Sequence, residues 1–234
     1  MVTRDLRLDR AQELYEDAVF KGEAAAVAEA ARDLDALEAD LALARGRILH
    51  ADFLFTRTED PGELPALERA AELYERLGDE RGLAEAEFWI GCFHQVLHQD
   101  GVTALPHLER SAELARKVDD RLTLSYAVRH LGFAAQYEAK DPETAQRFLT
   151  ESVDLRRELE FWPGVAAGLL ALGDLLHEQG RAGEAADLLD EATRIATECG
   201  AAGTLRWIQE TRAEHAASAV KTEPAASSTK DEQA

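Results

Sequence analysis

A glycine recurs at a fixed interval in the middle of the chain. Gly91, Gly132 and Gly173 are separated by 41 residues each time, and each follows an aliphatic residue. The same interval aligns two decapeptides, LPALERAAEL at 64–73 and LPHLERSAEL at 105–114. This self-similarity predicts stacked structural units, each of which contacts only its neighbours. Such stacks usually present an extended binding surface and seldom enclose a reaction centre.

Each interval contains the pattern of two amphipathic helices. Apolar residues recur three and four positions apart, as in Ala86, Ile90 and Phe93, which places them on one face of an α-helix. Turn-forming residues separate these stretches, and Asp141 followed by Pro142 is typical of a helix start. We therefore predict an all-α chain with two helices of about 17–19 residues in each unit.

Counting by 41 residues divides the chain into segments. Four units are predicted within residues 38–200, and an N-terminal helical cap is predicted for residues 1–37. In unit one the interval places His50 at the glycine position, so this unit is the poorest copy. Residues 201–216 are predicted to form a capping helix, because a stack must cover its last apolar face. Residues 217–234 have almost no large apolar side chains and are predicted to be disordered.

The fourth unit, LLALGDLLHEQGRAGEAADLLDEATRIA at 169–196, resembles the tetratricopeptide repeat. Leu172 and Gly173 match the crossing point of the first helix, Gly180 matches the turn, and Ala185 matches a small position of the second helix. Small residues stand where the two helices must approach closely.

The length of the unit points to one variety of this family. The usual tetratricopeptide unit has about 34 residues, whereas the interval here is 41 residues. Together with the joint LGDERGLAEA at 77–86, this length resembles the long repeats of bacterial signalling ATPases and maltose-regulon-type activators. The resemblance covers about residues 38–216 and implies a right-handed α-solenoid of stacked antiparallel helix pairs.

The resemblance also implies a concave groove, lined by the first helix of each pair, that holds a segment of a partner. Counting from the three glycines places these side chains in that groove: Arg47, Glu85, Phe88, Gln95, Tyr126, Arg129, Phe133, Gln136, Tyr137, Asp174 and His177. Cys92 is projected towards the same face. Aromatic residues and arginine dominate binding hot spots. For Phe88 and Phe133, packing between neighbouring helices is the alternative, whereas Tyr126, Arg129 and Tyr137 carry polar ends that need water or a partner.

We accordingly interpret the chain as a non-catalytic protein or peptide interaction module, an adaptor or a regulatory scaffold, that needs no cofactor. A peptide-sensing regulatory protein is an alternative. Sensors of that kind usually carry an N-terminal DNA-binding domain, and the 37 residues before the repeats contain no basic recognition helix. A homodimer is also compatible with the sequence.

A catalytic or metal-binding protein is the alternative from another class. His94 and His98 lie four residues apart on one predicted helix, and His107 begins the next helix. Imidazoles in such a cluster are suitable zinc ligands. However, no glutamate follows the first histidine as it does in HExxH hydrolases. A buried neutral histidine with one hydrogen bond is an adequate explanation of His94.

The composition argues against two further classes of partner. The formal net charge is −20 and the isoelectric point is about 4.7, which disfavours binding to nucleic acid phosphates or to an acidic membrane surface. No stretch approaches the roughly 18 apolar residues of a membrane helix, and the N-terminus lacks an apolar signal core. We expect a cytoplasmic protein in which Cys92 and Cys199 are free thiols.

Overall fold

The computed structural model describes residues 5–222, with side chains described as far as Ser218. Within this range the chain forms a series of α-helices and short connections. The helices are α1 (Leu6–Phe20), α2 (Ala24–Thr56), α3 (Glu63–Leu77), α4 (Glu80–Val96), α5 (Gly101–Lys117), α6 (Arg121–Tyr137), α7 (Pro142–Glu158), α8 (Trp162–Glu178), α9 (Ala182–Glu198) and α10 (Ala202–Thr222).

Aspartate side chains begin four consecutive helices, and they too recur every 41 residues. Asp79 and Asp120 precede α4 and α6, whereas Asp100 and Asp141 precede α5 and α7. Each carboxylate accepts a hydrogen bond of 3.0–3.2 Å from a backbone N–H in the first turn. These bonds satisfy donors that a helix leaves without an internal partner. The predicted helix start at Asp141 and Pro142 is confirmed.

The chain divides into two compact units, one ending at Phe148 and one beginning at Leu149. In the first unit, α1 packs on α2, and α2 with α3 and α4 with α5 form helix pairs. Helix α3 also packs on α4, and α6 packs on both α4 and α5. Buried apolar residues at the centre of this unit include Leu43, Leu67, Leu73, Ile90 and Phe93. In each unit the predicted all-α fold of stacked antiparallel helix pairs is confirmed.

The second unit contains the rest of α7 together with α8, α9 and α10. Helix α8 pairs with α9, and α10 packs on both. Ile208 of α10 is 1% exposed. The buried Arg156 of α7 donates a hydrogen bond of 2.9 Å to the carbonyl oxygen of Gly164 in α8.

Two of the repeated glycines lie where paired helices cross, as the sequence predicts. A Cβ atom added to Gly91 would lie 2.8 Å from Leu108 Cδ2 and 3.2 Å from the carbonyl oxygen of Ala104. A Cβ atom added to Gly173 in the second unit would lie 3.2 Å from Leu189 Cδ2. The absence of a side chain therefore permits the close contact between the helices.

In the first 41-residue repeat, the residue at the helix crossing is Gly46. The assignment of His50 to this position was therefore wrong. A Cβ atom added to Gly46 would lie 2.6 Å from Leu67 Cγ. The sequence separation between the glycine and the leucine is 21 residues here but 17 residues for Gly91 and Leu108. The four additional residues amount to about one helical turn, so a constant interval of 41 residues reaches His50 one turn too late.

The segment boundaries also differ from those predicted. Helix α2 is one continuous helix of 33 residues, and the boundary between residues 37 and 38 falls inside it. The helix predicted for residues 201–216 corresponds to α10, which continues to Thr222. Residues 217–222, predicted to be disordered, are therefore helical. The remaining part of the predicted tail, 223–234, lies outside the described residues.

Candidate functional site

In the first unit, the predicted groove residues lie on α2, α4 and α6, and α4 contacts both other helices. We use the name α4–α6 face for the buried Phe88 and the surface above it, which is formed by Tyr126, Arg129, Phe133 and Tyr137. The last four recur three and four residues apart along α6, which places them on one side of that helix. The periodicity of α6 therefore brings these residues to a single surface.

The aromatic rings of this face form two contacting pairs. The ring centroids of Phe88 and Tyr126 are 5.4 Å apart, and those of Phe133 and Tyr137 are 6.3 Å apart. Phe88 is only 2% exposed, whereas Tyr137 is 45% exposed. Tyr126 and Phe133 are half-buried. Phe88 therefore packs beneath the surface, and the other three rings are accessible from solvent.

Arg129 is the most distinctive side chain of the α4–α6 face. Its Cζ atom lies 4.5 Å from the centroid of the Phe133 ring, within the range of a cation–π interaction. Its Nε atom is buried and has no hydrogen-bond partner. Burial lowers the pKa of Arg129 to about 10, so the guanidinium remains charged at neutral pH. Among residues 5–222 no carboxylate lies within ion-pair distance of it.

The other predicted groove residues of the first unit have partners or are buried. Arg47 Nη1 lies 2.9 Å from Glu85 Oε1, and the guanidinium of Arg47 lies 5.8 Å from the Trp89 ring centroid. Gln95 is half-buried and Gln136 is 6% exposed. Arg47 and Glu85 thus neutralise each other across α2 and α4.

A buried polar network lies on α2, α3, α4 and α6. His50 Nδ1 lies 2.8 Å from Glu63 Oε1, and its Nε2 lies 3.6 Å from Cys92 Sγ. The same sulfur lies 4.0 Å from His130 Nε2. His130 Nδ1 lies 2.7 Å from Gln95 Oε1, and Gln95 Nε2 donates to the His130 carbonyl oxygen at 3.1 Å. This network joins the helices that carry the predicted groove residues.

One feature of the sequence indicates this buried network. Glu63, Ala104 and Ala145 are spaced by 41 residues, and all three side chains are fully buried. A carboxylate at a position occupied elsewhere by alanine requires a polar partner nearby. His50, which is 4% exposed, provides that partner. The pairing between distant residues was not visible in the local sequence.

The contacts from Cys92 to His50 and from His50 to Glu63 have the same sequence of residue types as a Cys–His–carboxylate catalytic triad. A nucleophilic cysteine must be substantially ionised and accessible. Burial raises the pKa of Cys92 to about 12, and the residue is 4% exposed. The thiol is therefore protonated at neutral pH and shielded from substrate, so the arrangement is better explained as a packing network.

The three histidines of the predicted metal cluster lie near one another. The ring centroid of His94 is 5.7 Å from that of His98 and 6.2 Å from that of His107. However, His107 Nδ1 lies 2.6 Å from Glu87, and His98 Nε2 lies 3.3 Å from Glu59. In the described part of the chain no group of three His, Cys, Asp or Glu side chains is arranged to hold a metal ion.

In the second unit, the predicted groove residues Asp174 and His177 contact α10. The ring of His215 stacks on His177 with a centroid distance of 3.7 Å and an interplanar angle of 6°. His215 Nε2 lies 3.0 Å from Asp174 Oδ1, and His177 Nε2 lies 3.0 Å from Ser218 Oγ. This part of α8 is therefore partly covered by the chain itself.

Comparison with known proteins shows which repeat family one segment of the chain is similar to. Residues 123–198 match the family model of the tetratricopeptide repeat. The crystal structure of BtubC (BKLC) from P. vanneervenii is similar to this chain at 17% identity and a TM-score of 0.46, covering 83% of this chain and 89% of that one. A search of the curated proteins found no match.

The match supports the predicted resemblance to the tetratricopeptide repeat over residues 123–198. Repeats of this class generally mediate protein–protein interactions. The finer resemblance to the long repeats of signalling ATPases and activators stays a prediction. None of the helices within residues 5–222 has the length and hydrophobicity required to span a membrane.

Proposed function

We propose that this chain is a non-catalytic interaction module that binds a segment of a partner protein on the α4–α6 face. The observation that carries this proposal is Arg129, a charged guanidinium with a buried Nε atom and no carboxylate partner among the described residues. A desolvated cation in a chain of net charge −20 is costly to maintain. An anionic group of a partner would offset this cost.

The neighbouring side chains specify the rest of the partner segment. Phe133 and Tyr137 offer ring surface next to Arg129, and Tyr126 adds a ring with a polar end. We therefore propose a segment with a carboxylate that pairs with Arg129 and an adjacent apolar or aromatic side chain that packs on these rings. Tetratricopeptide repeats bind such extended or helical segments readily, because a surface of packed helices offers continuous shallow contact.

A peptide display library with randomised internal and C-terminal segments tests this function. We expect enriched peptides to contain a carboxylate beside an apolar residue. Their affinity should fall at least about tenfold for Arg129→Gln, because a charge-assisted hydrogen bond to the guanidinium is lost. Tyr126→Ala should weaken the same peptides. The matched control is Arg206→Gln, which removes an exposed arginine from α10 and should leave the affinity unchanged.

Thermal melting of each variant separates binding from folding. All three variants should melt within a few degrees of the unmodified chain. Peptides that bind Arg129→Gln as tightly as the unmodified chain would contradict the proposed site. The same display experiment also tests peptide binding for the alternative function, a peptide-sensing regulatory protein, because that protein would bind its peptide in the same way. Cytoplasmic location and lack of binding to nucleic acids and membranes remain part of the proposal and rest on the acidic composition.

A further inference from the structure

A row of large apolar side chains runs along the exposed side of α2 at intervals of seven residues. Its members are 61, 41, 58, 70 and 78% exposed, in the order Val27, Leu34, Leu41, Ile48 and Phe55. The side of α2 that packs inside the first unit is formed by other residues, such as Leu43 and Gly46. Single exposed apolar residues are ordinary, but a continuous row on one helix marks an interaction surface.

A second row completes the pattern of a coiled coil. The residues three positions after the first four members of the row are also apolar, and they are Ala30, Leu37, Ala44 and Ala51. Apolar residues at the first and fourth positions of successive heptads form the contact seam between two supercoiled helices. From Val27 to Phe55 the seam spans about 42 Å at 1.5 Å per residue. We call these two rows together the α2 seam.

We propose that the α2 seam binds the α2 seam of a second copy of this chain, in antiparallel orientation. In one antiparallel alignment, Leu41 faces Ala44 of the second copy, and Phe55 faces Ala30. Leu34 likewise faces Ala51 and Ile48 faces Leu37, whereas Val27 faces a position beyond the end of α2. A parallel alignment would instead place Phe55 against Phe55 and alanine against alanine, which leaves crowded and empty layers in alternation.

The charges beside the seam favour the same alignment. It places Glu38 opposite Arg45 and Asp40 opposite Arg47, and the two-fold symmetry repeats each pair. No like charges face each other at these flanking positions. A parallel alignment would also form opposite-charge pairs, such as Asp40 with Arg45, but it would bring Asp33 of one copy beside Glu38 of the other. The seam is therefore complementary to itself in the antiparallel orientation.

Four of these charged residues also form ion pairs within their own chain, and one of them is Asp33, which pairs with Arg10 of α1 at 2.8 Å. Glu38 pairs with an arginine of α3 at 2.7 Å, Asp40 with an arginine of α1 at 2.6 Å, and Arg47 with a glutamate of α4 at 2.9 Å. Exposed ion pairs of this kind contribute only about 0–1 kcal/mol each. The charges therefore select the orientation of the dimer, and the apolar rows supply most of its stability.

Sedimentation velocity of the full chain tests the dimer. We expect the unmodified chain to be dimeric at micromolar concentration. Leu41→Lys should weaken the dimer at least about 100-fold, because the two-fold axis brings both lysines into the desolvated seam. Val102→Lys is the matched control, since Val102 is 87% exposed on α5 and lies off the seam. A monomeric unmodified chain, or a Leu41→Lys variant that stays dimeric, would overturn the proposal.

Disulfide trapping tests the orientation in a Cys199→Ser background. The double variant Leu34→Cys/Ala51→Cys should form a covalent dimer on oxidation, since these residues face each other in the antiparallel alignment and disulfides require close Cβ atoms. Leu34→Cys alone should remain uncrosslinked. Crosslinking of Leu34→Cys alone would show a parallel dimer and refute the proposed orientation.

Charge reversal provides a test that leaves the apolar seam intact. Arg45→Glu should weaken the dimer by facing Glu38, and Glu38→Arg/Arg45→Glu should restore it, because both opposed pairs become complementary again. Failure of the double variant to restore the dimer would count against the proposed alignment. Far-UV circular dichroism spectra of both variants should match that of the unmodified chain, because the helices themselves remain folded.

Discussion

Single glycines determine how closely the paired helices of this protein approach each other. Gly46 and Gly91 lie against leucines of the next helix, and an added Cβ atom at either position would overlap the leucine side chain. The positions of Gly91 and Gly173 could be predicted because the segments around them repeat with a constant interval. Gly46 could not, since four more residues separate Gly46 from Leu67 than separate Gly91 from Leu108.

The corrected position of Gly46 predicts the effect of adding one methyl group. Gly46→Ala should destabilise the protein by about 1–3 kcal/mol, because overpacking displaces Leu67 or separates the helices. Gly183→Ala is the control, since an added Cβ atom there has no neighbour within 4 Å and alanine favours helix by about 1 kcal/mol. Urea unfolding measures both. If Gly46→Ala were as stable as the unmodified chain, Gly46 would not be the residue at which α2 and α3 cross.

Individual groove residues were less predictable than the glycines. Counting along the helix places Tyr126, Arg129 and Tyr137 on one side of α6 because helical periodicity is local, and their role in binding a partner stays a prediction. It did not show that Arg47 pairs with Glu85, since these residues are 38 positions apart and meet only through helix packing. Whether a charged side chain is available to a partner therefore depends on contacts between helices, and the periodicity of a single helix does not predict those contacts.

At the scale of helices, the His50–Glu63 pair connects α2 to α3 inside the first unit. Both residues are nearly inaccessible, at 4% and 0% exposed. Removing one partner leaves the other without its hydrogen bond in a dry environment, where an unsatisfied polar group is costly. The pair therefore links the start of α3 to α2 by a polar contact. The repeats that have Ala104 or Ala145 at the position of Glu63 lack this contact.

A double-mutant cycle measures this connection. Glu63→Ala and His50→Ala should each destabilise the protein by about 1–3 kcal/mol. The double variant should cost less than the sum of the single changes, because the second removal no longer creates an unpaired polar group. Urea unfolding of all four proteins provides the coupling energy. Simple additivity would indicate that the observed 2.8 Å contact contributes little.

At the scale of the whole molecule, the last apolar face of the repeat series needs a cover. Helix α10 provides it by packing on α8 and α9, and Ile208, at 1% exposed, is more deeply buried than Thr204 of the same helix. The apolar residues of this segment predicted such a helix, but the predicted end at residue 216 was too early. The last turns of α10 have few apolar residues, and their composition is therefore similar to that of a disordered segment. Composition predicts the ability to bury surface better than it predicts where a helix ends.

Ile208→Ala should reveal the contribution of this cover. Truncating a fully buried isoleucine is expected to destabilise the protein by about 2–5 kcal/mol, which lowers the melting temperature by several degrees. Trp207→Ala, a change at the adjacent and 40% exposed position, should have a much smaller effect despite removing a larger side chain. Differential scanning calorimetry compares the two. A larger loss for Trp207→Ala would mean that α10 is held by its other side.

The aspartate caps at 41-residue spacing have a consequence for how such a chain can change in length. A segment that runs from one joint to the next, such as 79–119, begins with its own capping aspartate, contains a second at Asp100 and ends just before a third. Its duplication or deletion would leave every helix start in that region with a capping side chain. Gene duplication could therefore alter the number of repeats and still leave a capping aspartate at each of these helix starts. No intermediate protein with an uncapped helix would be needed.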